Sequence, residues 1–443
     1  MSWSRSSSTR WARPLSGMEG YFNFIRGVSA SLCDGRQHYT LLSKVRVELD
    51  LPDVLPSLKY AWRQLRYQQP QIAATVENME LVYKITNETS VAEWVDETFI
   101  VSSALDADEL CGSVQPIKQA TLYYIPASSE LVLRVHHIII DGTGVKLFWR
   151  SYFNALIAPL SQITFGDEHL RLPPVLEEAL GNSEQPTQEQ ADRAAALLGP
   201  VAEIMPGIGP VSKLGKAPSG RIRNREYVFS PQKTKAVIKA CKDKLFSVTS
   251  AVHAAYIQTI TKYADPTANI SRYVTVNSLS LRPYLPEPYN TSDYSVSLYY
   301  APLPFVLNTP TSFSEAATAL HEHYQTGFKT NTENRDICGY VMCMLRDMVQ
   351  TPEFQARPIS RDALVSSLGV VEEHLKHTYG TTVTVKDFMF GAETVLGMSM
   401  LFVYTFRDQL RLVYSFDDGF EEESDIQMYL EELDTVLTEE LLG

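Results

Sequence analysis

Cysteine is scarce in this chain of 443 residues and follows no recognisable pattern. The five cysteines are far apart, and none belongs to a Cys-x-x-Cys pair. That distribution argues against a disulfide framework and against a zinc site, and it indicates a reducing compartment. We therefore expect no metal site, and we expect the protein to be cytoplasmic.

Long apolar runs and basic stretches are also lacking. The most apolar stretch, residues 395–406, has about the length of a strand and is much too short to span a bilayer. Lys and Arg number 39 against 52 Asp and Glu, a net charge of −13, and no basic stripe for nucleic acid is present. We expect no membrane span and no nucleic-acid partner. Residues 1–13, rich in Ser and Arg, are predicted to be a frayed leader.

Hydrophobic periodicity predicts strands and helices in both halves of the chain. A hairpin is predicted over residues 120–136, and a Pro- and Gly-rich crossover separates the halves. Strands mix with helices without strict βαβ alternation, which predicts a mixed α/β fold. The predicted domains are 1–175, the crossover 176–224, and 225–443. Helices are expected at 145–158, 231–245, 248–263, 312–328, 341–349 and 425–442, and late strands at 273–281, 294–305, 363–371, 382–388, 399–405 and 409–416.

The clearest chemical signal is the run His136-His137-Ile138-Ile139-Ile140-Asp141-Gly142. A strand brings two histidines to its end, and a tight turn with Asp141, Gly142 and Gly144 leads into a helix. Imidazole is the natural general base at neutral pH, which makes a catalytic site one interpretation. A buried strand end followed by a plain Asp-Gly turn is the other. From the residue chemistry alone, both interpretations stay open.

This run resembles the HHxxxDG signature of the acyl-CoA-dependent acyltransferase superfamily at every fixed position. The superfamily includes chloramphenicol acetyltransferase, plant BAHD enzymes, carnitine acyltransferases, fungal alcohol O-acetyltransferases and peptide-synthetase condensation domains. Residues 276–283, VNSLSLRP, resemble the N-x-x-x-x-R strand of condensation domains. Residues 387–391, DFMFG, are similar to the BAHD motif DFGWG, with Met for Gly and Phe for Trp. Residues 11–19 look like the entry segment of the fungal members, and residues 405–410 look most like fungal trichothecene 15-O-acetyltransferase and its relatives. The chain as a whole most resembles these and the alcohol O-acetyltransferase-like enzymes.

The resemblance implies two chloramphenicol-acetyltransferase-like subdomains with mixed sheets around a central tunnel. It implies that His137 is the general base and that Asp141 pairs with Arg282 to hold the loop. No covalent acyl-enzyme is implied. The co-substrate would be acyl-CoA, in the simplest case acetyl-CoA, with no permanently bound cofactor. The implied partner is a small hydrophobic alcohol, and the implied oligomeric state is a monomer.

Several further residues are assigned supporting roles. His136 is expected to pack or hydrogen-bond behind the loop, and Gly142 is expected to permit a tight turn and close backbone approach. Candidate substrate-binding residues are Asn277, Ser278 and Ser280. Strand alternation puts the two serines on one face and Asn277 on the other, without showing which face lines the site. The alternative interpretation is that all three are ordinary polar residues of a strand.

Three predictions concern charged or connecting segments. An exposed charge at the end of a strand is the alternative interpretation of Arg282. Residues 387–391 are expected to brace a loop between the halves. The lysine-rich helix 231–245 is interpreted as a solvated face in preference to a site for the CoA phosphates.

Function is predicted as acyl-CoA-dependent O-acyl transfer, in the simplest case of acetyl, to a hydroxyl of a hydrophobic fungal secondary metabolite. One alternative is a condensation-domain-like enzyme that takes its acyl group from a carrier protein or forms an amide. The other is a non-catalytic binding module that has kept the fold.

Overall fold

The elements of the fold come from a computed structural model, which describes residues 2–183, 185–204, 207–210, 220–264, 270–325, 333–357 and 363–443. The strands are β1 (Ser4–Arg5), β2 (Arg10–Pro14), β3 (Thr40–Leu49), β4 (Thr75–Glu77), β5 (Glu80–Lys84), β6 (Phe99–Val101), β7 (Thr121–Ile125), β8 (Glu130–His136), β9 (Ile222–Val228), β10 (Arg272–Ser280), β11 (Tyr300–Asn308), β12 (Ala363–Val370), β13 (Thr378–Tyr379), β14 (Val383–Ala392), β15 (Ser399–Phe406) and β16 (Gln409–Asp417).

The helices are α1 (Gly17–Leu32), α2 (Val54–Gln68), α3 (Glu88–Thr98), α4 (Ala107–Ser113), α5 (Gly142–Ile157), α6 (Leu176–Ala179), α7 (Gln188–Ile204), α8 (Pro231–Asp243), α9 (Val248–Lys262), α10 (Phe313–Tyr324), α11 (Cys338–Val349), α12 (Pro352–Gln355) and α13 (Glu423–Leu442). The end of the helix predicted over 312–328 and part of the predicted crossover 176–224 lie outside the described residues. The mixed α/β fold predicted from the sequence is confirmed.

A six-stranded mixed sheet in the order β13-β14-β3-β8-β7-β6 holds the histidine strand near its middle. Strands β7 and β8 form the predicted hairpin. All seven residues of β8 are buried, as expected of a strand with neighbours on both edges and helices against it. Helix α5 packs on this sheet, where the indole nitrogen of Trp149 donates to Ser43 Oγ of β3 at 2.9 Å. The histidines therefore stand at the end of a rigid strand.

A second mixed sheet, β12-β15-β16-β9, belongs to the later part of the chain. In it β12 runs parallel to β15, and the other pairs are antiparallel. Helices α8, α9 and α13 share a buried apolar core with this sheet. Strands β10 and β11 form a separate antiparallel pair, with Ser280 opposite Tyr300 in the register. This pair carries the residues that face the histidine strand.

Strand β14 crosses the predicted division of the chain, because it pairs with β3 in the first sheet. The predicted strand 382–388 thus extends to Ala392, so residues 387–391, which were expected to brace a loop between the halves, themselves lie in a strand. The sequence of this segment does not show its non-local partner. Asp387 on β14 accepts a hydrogen bond from Arg411 of β16 at 2.6 Å, so the segment does connect the two sheets. The domain limits stay a prediction.

The N-terminal segment is also ordered differently from the prediction. Residues 10–14 form β2, which pairs with β5 in a four-stranded antiparallel sheet. The prediction of a frayed leader is therefore wrong for this segment. Arg13 is 1% exposed and donates to both carboxylate oxygens of Glu19 at 2.7 Å. Glu19 also completes a capping box with Ser16 at the start of α1. The segment is held by a buried ion pair.

Two smaller findings complete the fold. The strand predicted over 294–305 begins only at Tyr300, because residues 292–294 form a 3-10 turn instead. Among the residues that the structure describes, none of the helices combines the length and apolar character that crossing a bilayer requires.

Candidate active site

His137 follows β8 directly and is held by backbone and ring contacts. Its N–H donates to the carbonyl of Tyr39 at 3.1 Å. Its ring stacks on Phe22 at 4.3 Å between centroids and on Tyr300 at 5.4 Å, with interplanar angles of 14° and 29°. Phe22 lies on α1 and Tyr300 on β11, so two distant segments fix the plane of the imidazole.

The imidazole of His137 faces a cavity of about 170 Å³. Residues from both parts of the chain line this cavity, which we call the main cavity. The first part contributes Met18, Tyr21, Phe22, Tyr39, Leu41, His137, Asp141, Gly142 and Thr143. The second part contributes Val276, Ser278, Ser280, Tyr300, Pro302, Met342, Leu345, residues 364–368, Phe390, Ala392, Met398, Met400 and Phe402.

Burial keeps both histidines of the motif neutral. Desolvation lowers the pKa of His137 to about 4, although the Asp141 carboxylate and the backbone carbonyls of His137 and Ile140 act in the opposite direction. Desolvation also lowers the pKa of His136 to about 3. His136 is 7% exposed, and its Nε2 forms a hydrogen bond with the carbonyl of Ile117 at 3.0 Å. His136 thus lies behind the loop, in the place expected for it.

Asp141 caps α5 and faces away from His137 toward the second part of the chain. Its Oδ1 accepts from the N–H of Gly144 at 2.6 Å, which satisfies one of the open donors at the helix start. Its Oδ2 accepts from the N–H of Tyr299 at 2.7 Å and from Arg282 Nη2 at 3.2 Å. The side chain therefore holds the turn after His137 on three sides.

Arg282 is buried, 3% exposed, so the alternative of an exposed strand-end charge is wrong. It follows β10 and forms the ion pair with Asp141 that the resemblance implied. Its guanidinium also donates to the carbonyls of Tyr294 and Ser297 at 2.9 and 3.0 Å. These bonds shape the loop that leads into β11, and hence the approach of Tyr300 to His137.

The two glycines of the motif serve close packing and not a tight turn. Neither has a positive φ, and both lie in the first turn of α5, so the expected role in a tight turn is wrong. A Cβ on Gly142 would lie 2.7 Å from Leu368 Cδ2. A Cβ on Gly144 would lie 2.5 Å from the carbonyl oxygen of Ser295. Gly144 therefore allows the helix start to approach the backbone near Arg282, and Gly142 leaves room for the Leu368 side chain of β12.

Alternation along β10 separates the three candidate substrate-binding residues. Ser278 and Ser280 line the main cavity. Asn277 points to the other face, where it is fully buried and accepts a hydrogen bond from Tyr324 at 3.1 Å. Asn277 does not line the main cavity, so the expectation that it binds substrate is wrong. The Ser280 hydroxyl is buried and has no hydrogen-bond partner among the described residues.

The remaining charged candidates lie in ordinary surroundings. On α8, Lys233 pairs with Asp434 and Lys239 pairs with Asp243, which agrees with the interpretation of a solvated helix face. Across the described part of the chain, no three His, Cys, Asp or Glu side chains converge as metal ligands would.

Comparisons with known proteins place this geometry in context. No family model matches the chain. The O-acetyltransferase pigM of Monascus ruber is 29% identical over 400 residues, which cover 88% of this chain and 77% of pigM. The acetyltransferase pigO of the same fungus is 26% identical over 466 residues, which cover 100% of this chain and 98% of pigO.

Solved structures share the fold. TRI3, the trichothecene 15-O-acetyltransferase of Fusarium sporotrichioides, matches with a TM-score of 0.80 at 14% identity, over 98% of this chain and 97% of TRI3. A condensation domain of a polyketide synthase matches with a TM-score of 0.65 at 13% identity, over 100% of this chain and 99% of that domain. These likenesses indicate an acyltransferase related in sequence to pigM and pigO, with the fold that TRI3 and the condensation domain share.

Sequence reasoning missed most of the wall of the main cavity in this acyltransferase. Phe22 and Tyr300 stack on His137, but they lie far from the motif in sequence and have the composition of ordinary core residues. Four methionines also line the cavity: Met18, Met342, Met398 and Met400. The one available signal was the segment at 11–19, whose continuation carries Phe22.

We predict that Asp141 stabilises the acyltransferase more than an ordinary helix cap does. Asp141→Ala should lower the free energy of unfolding by about 3–5 kcal/mol, because it leaves Arg282 buried without its counter-charge. Asp141→Asn should lose less, because the amide oxygen still caps α5. Urea unfolding followed by tryptophan fluorescence measures both.

The matched control is Asp106→Ala. Asp106 caps α4 through Glu109 N–H at 2.9 Å and lies on an exposed helix end. Its loss should cost about 1 kcal/mol. Equal losses for Asp106→Ala and Asp141→Ala would contradict a special role of the buried pair.

Proposed function

We propose that this acyltransferase transfers an acyl group, in the simplest case acetyl, from CoA to a hydroxyl of a hydrophobic secondary metabolite. The observation that supports it best is a neutral histidine, His137, on an apolar cavity walled by both parts of the chain. The relatives pigM and pigO, both named as acetyltransferases, support CoA as the source of the acyl group. They do not favour the carrier-protein alternative or a non-catalytic module.

In the proposed reaction His137 acts as the general base. Its Nδ1 is buried, which leaves Nε2 to meet the acceptor. Nε2 takes the proton of the acceptor hydroxyl while the hydroxyl oxygen attacks the thioester carbonyl carbon. The tetrahedral intermediate then collapses and the C–S bond breaks. The leaving CoA thiolate accepts the proton that the imidazolium of His137 holds. Both substrates are bound at once, so the protein contributes mainly by alignment.

Ser280 is the side chain we propose for the oxyanion. In the β10–β11 register it lies opposite Tyr300, whose ring stacks on His137. Paired residues on one face of an antiparallel ladder are neighbours, and Ser280 lines the same cavity as His137 and Tyr300. Rotation about χ1 turns this unpartnered hydroxyl toward the cavity. A donor placed at a developing oxyanion is most effective in a dry, apolar site.

In this proposal Asp141 and Arg282 do not contact the reacting atoms. Their contacts hold the start of α5 against the loop before β11, and this sets the distance between His137 and Tyr300. They are positioning residues. Thr143 and Ser366, which also line the cavity, are available to bind polar groups of either substrate.

The first test follows CoA release from acetyl-CoA with a panel of hydrophobic alcohols. We expect acceptor-dependent release in the wild type and a loss of about 10²–10⁴-fold in kcat for His137→Ala. His377→Ala is the control, since His377 is half-exposed and pairs with Glu372 away from the cavity. Release that survives in His137→Ala would remove His137 as the base.

The second test uses pH. His137 must be neutral to accept a proton, so kcat/KM should stay level as the pH falls and should be lost near pH 4. The buried His136 and His253 have pKa values lowered to about 3, whereas unfolded histidine titrates near 6.5. They bind fewer protons when folded, so stability decreases as the pH falls below about 6.5.

The folded fraction is therefore measured by tryptophan fluorescence at each pH. Half-loss of kcat/KM near pH 6.5 in fully folded protein would contradict a depressed His137 pKa.

The third test is Ser280→Ala. Removing one oxyanion donor should lower kcat by about 10²–10³-fold with a small change in KM. Ser278→Ala, two residues along the same face, is the comparison and should act mainly on KM. A wild-type kcat in Ser280→Ala would show that this hydroxyl does not meet the oxyanion.

A further inference from the structure

A second cavity of about 60 Å³ adjoins the main cavity. The two cavities share five wall residues: Tyr21, Val276, Pro302, Met342 and Leu345. The rest of the wall comes from Leu198, Pro304, Val341, Val349 and Phe354. We call this second cavity the side chamber. Apart from the Tyr21 hydroxyl, every side chain around it is apolar.

Polarity falls along the β10–β11 ladder from His137 toward the side chamber. The cavity face begins with Ser280 opposite Tyr300, continues with Ser278 opposite Pro302, and ends with Val276 opposite Pro304. A strand rises about 3.3 Å per residue, so the step from Ser280 to Val276 spans roughly 13 Å. The side chamber is thus the apolar end of a path that starts at the reacting atoms.

The size and lining of the side chamber select its occupant. Water in a cavity needs two to four polar partners, and these walls offer almost none. An apolar cavity of about 150 Å³ is known to hold a benzene ring, and 60 Å³ is less than half of that. A ring does not fit, but the end of a narrow alkyl chain does.

We propose that the side chamber binds the end of an unbranched aliphatic chain whose reacting group lies at His137. The chain belongs either to the acyl group of the donor or to the acceptor alcohol. This inference rests on the proposed function for the location of the chemistry. It adds a preference for long chains, which acetyl transfer alone does not require.

Val349 is the residue to change, because it lines the side chamber and does not line the main cavity. Val349→Phe fills the chamber, and Val349→Ala enlarges it. Met348→Phe is the matched control on the same helix, since Met348 lines neither cavity. If Val349→Phe does not fold, Val341→Leu narrows the chamber by one methylene group.

The readout is affinity by titration calorimetry, which needs no turnover. The donor arm compares octanoyl-CoA with acetyl-CoA, and the acceptor arm compares 1-octanol with 1-butanol. In the arm that uses the chamber, each added methylene should tighten binding about fourfold in the wild type. The gain should disappear in Val349→Phe, extend to longer chains in Val349→Ala, and persist in Met348→Phe.

The two arms identify which substrate carries the chain. Equal affinity for short and long chains in both arms would overturn the proposal, as would a preference that Val349→Phe leaves intact. These outcomes are separate from the proposed function. Absence of CoA release with any donor would contradict acyl transfer. The calorimetry would still show whether the side chamber binds an alkyl chain.

Discussion

The carboxylate of Asp141 joins the start of α5 to two segments that are distant from it in sequence, the loop at Arg282 and the backbone before β11. Each contact is buried, where charge-assisted hydrogen bonds are strong and an unpaired charge is costly. The position of the imidazole follows from this arrangement. His137 lies at the end of β8, and Tyr300 reaches it only because Asp141 and Arg282 bring the start of β11 close.

Burial also sets the protonation state of His137. Phe22 and Tyr300 stack on the ring of His137, and desolvation keeps the imidazole neutral at pH values well below the ordinary pKa of histidine. An uncharged imidazole can accept a proton at every physiological pH, at the cost of reduced basicity. The surface of the main cavity is mostly apolar, so apolar groups of the substrates gain binding energy there. This binding energy offsets the cost of the reduced basicity. Desolvation and substrate choice are therefore linked through the same walls.

Much of the fold and the centre of the site were predictable, for reasons that are local or that rest on the resemblance. The hairpin before His137 consists of two short, mostly apolar runs joined by a turn-rich connection, so β7 and β8 were visible in the sequence. The motif and its Arg282 partner followed from the resemblance. Asn277 was ambiguous, since alternation shows that two residues face apart but not which of them faces a cavity.

What stayed hidden was non-local. Strand β14 has the composition of any strand, and nothing in residues 383–392 reveals that its partner is β3. The aromatic and methionine walls of the main cavity are spread over the chain and have the same composition as the core. Residues that form a motif with a fixed local spacing can be recognised from the sequence. Residues whose role comes from contacts between segments that are distant in sequence cannot.

The pairing of β14 with β3 has a consequence for the order in which the molecule can be built. A ribosome completes the histidine strand and α5 long before it reaches residue 383, and during that interval one edge of β3 has no neighbour. An unpaired strand edge is a template for association with other chains. The nascent first half is therefore an unfinished sheet, and the turn at His137 acquires its final surroundings only when most of the polypeptide has been made.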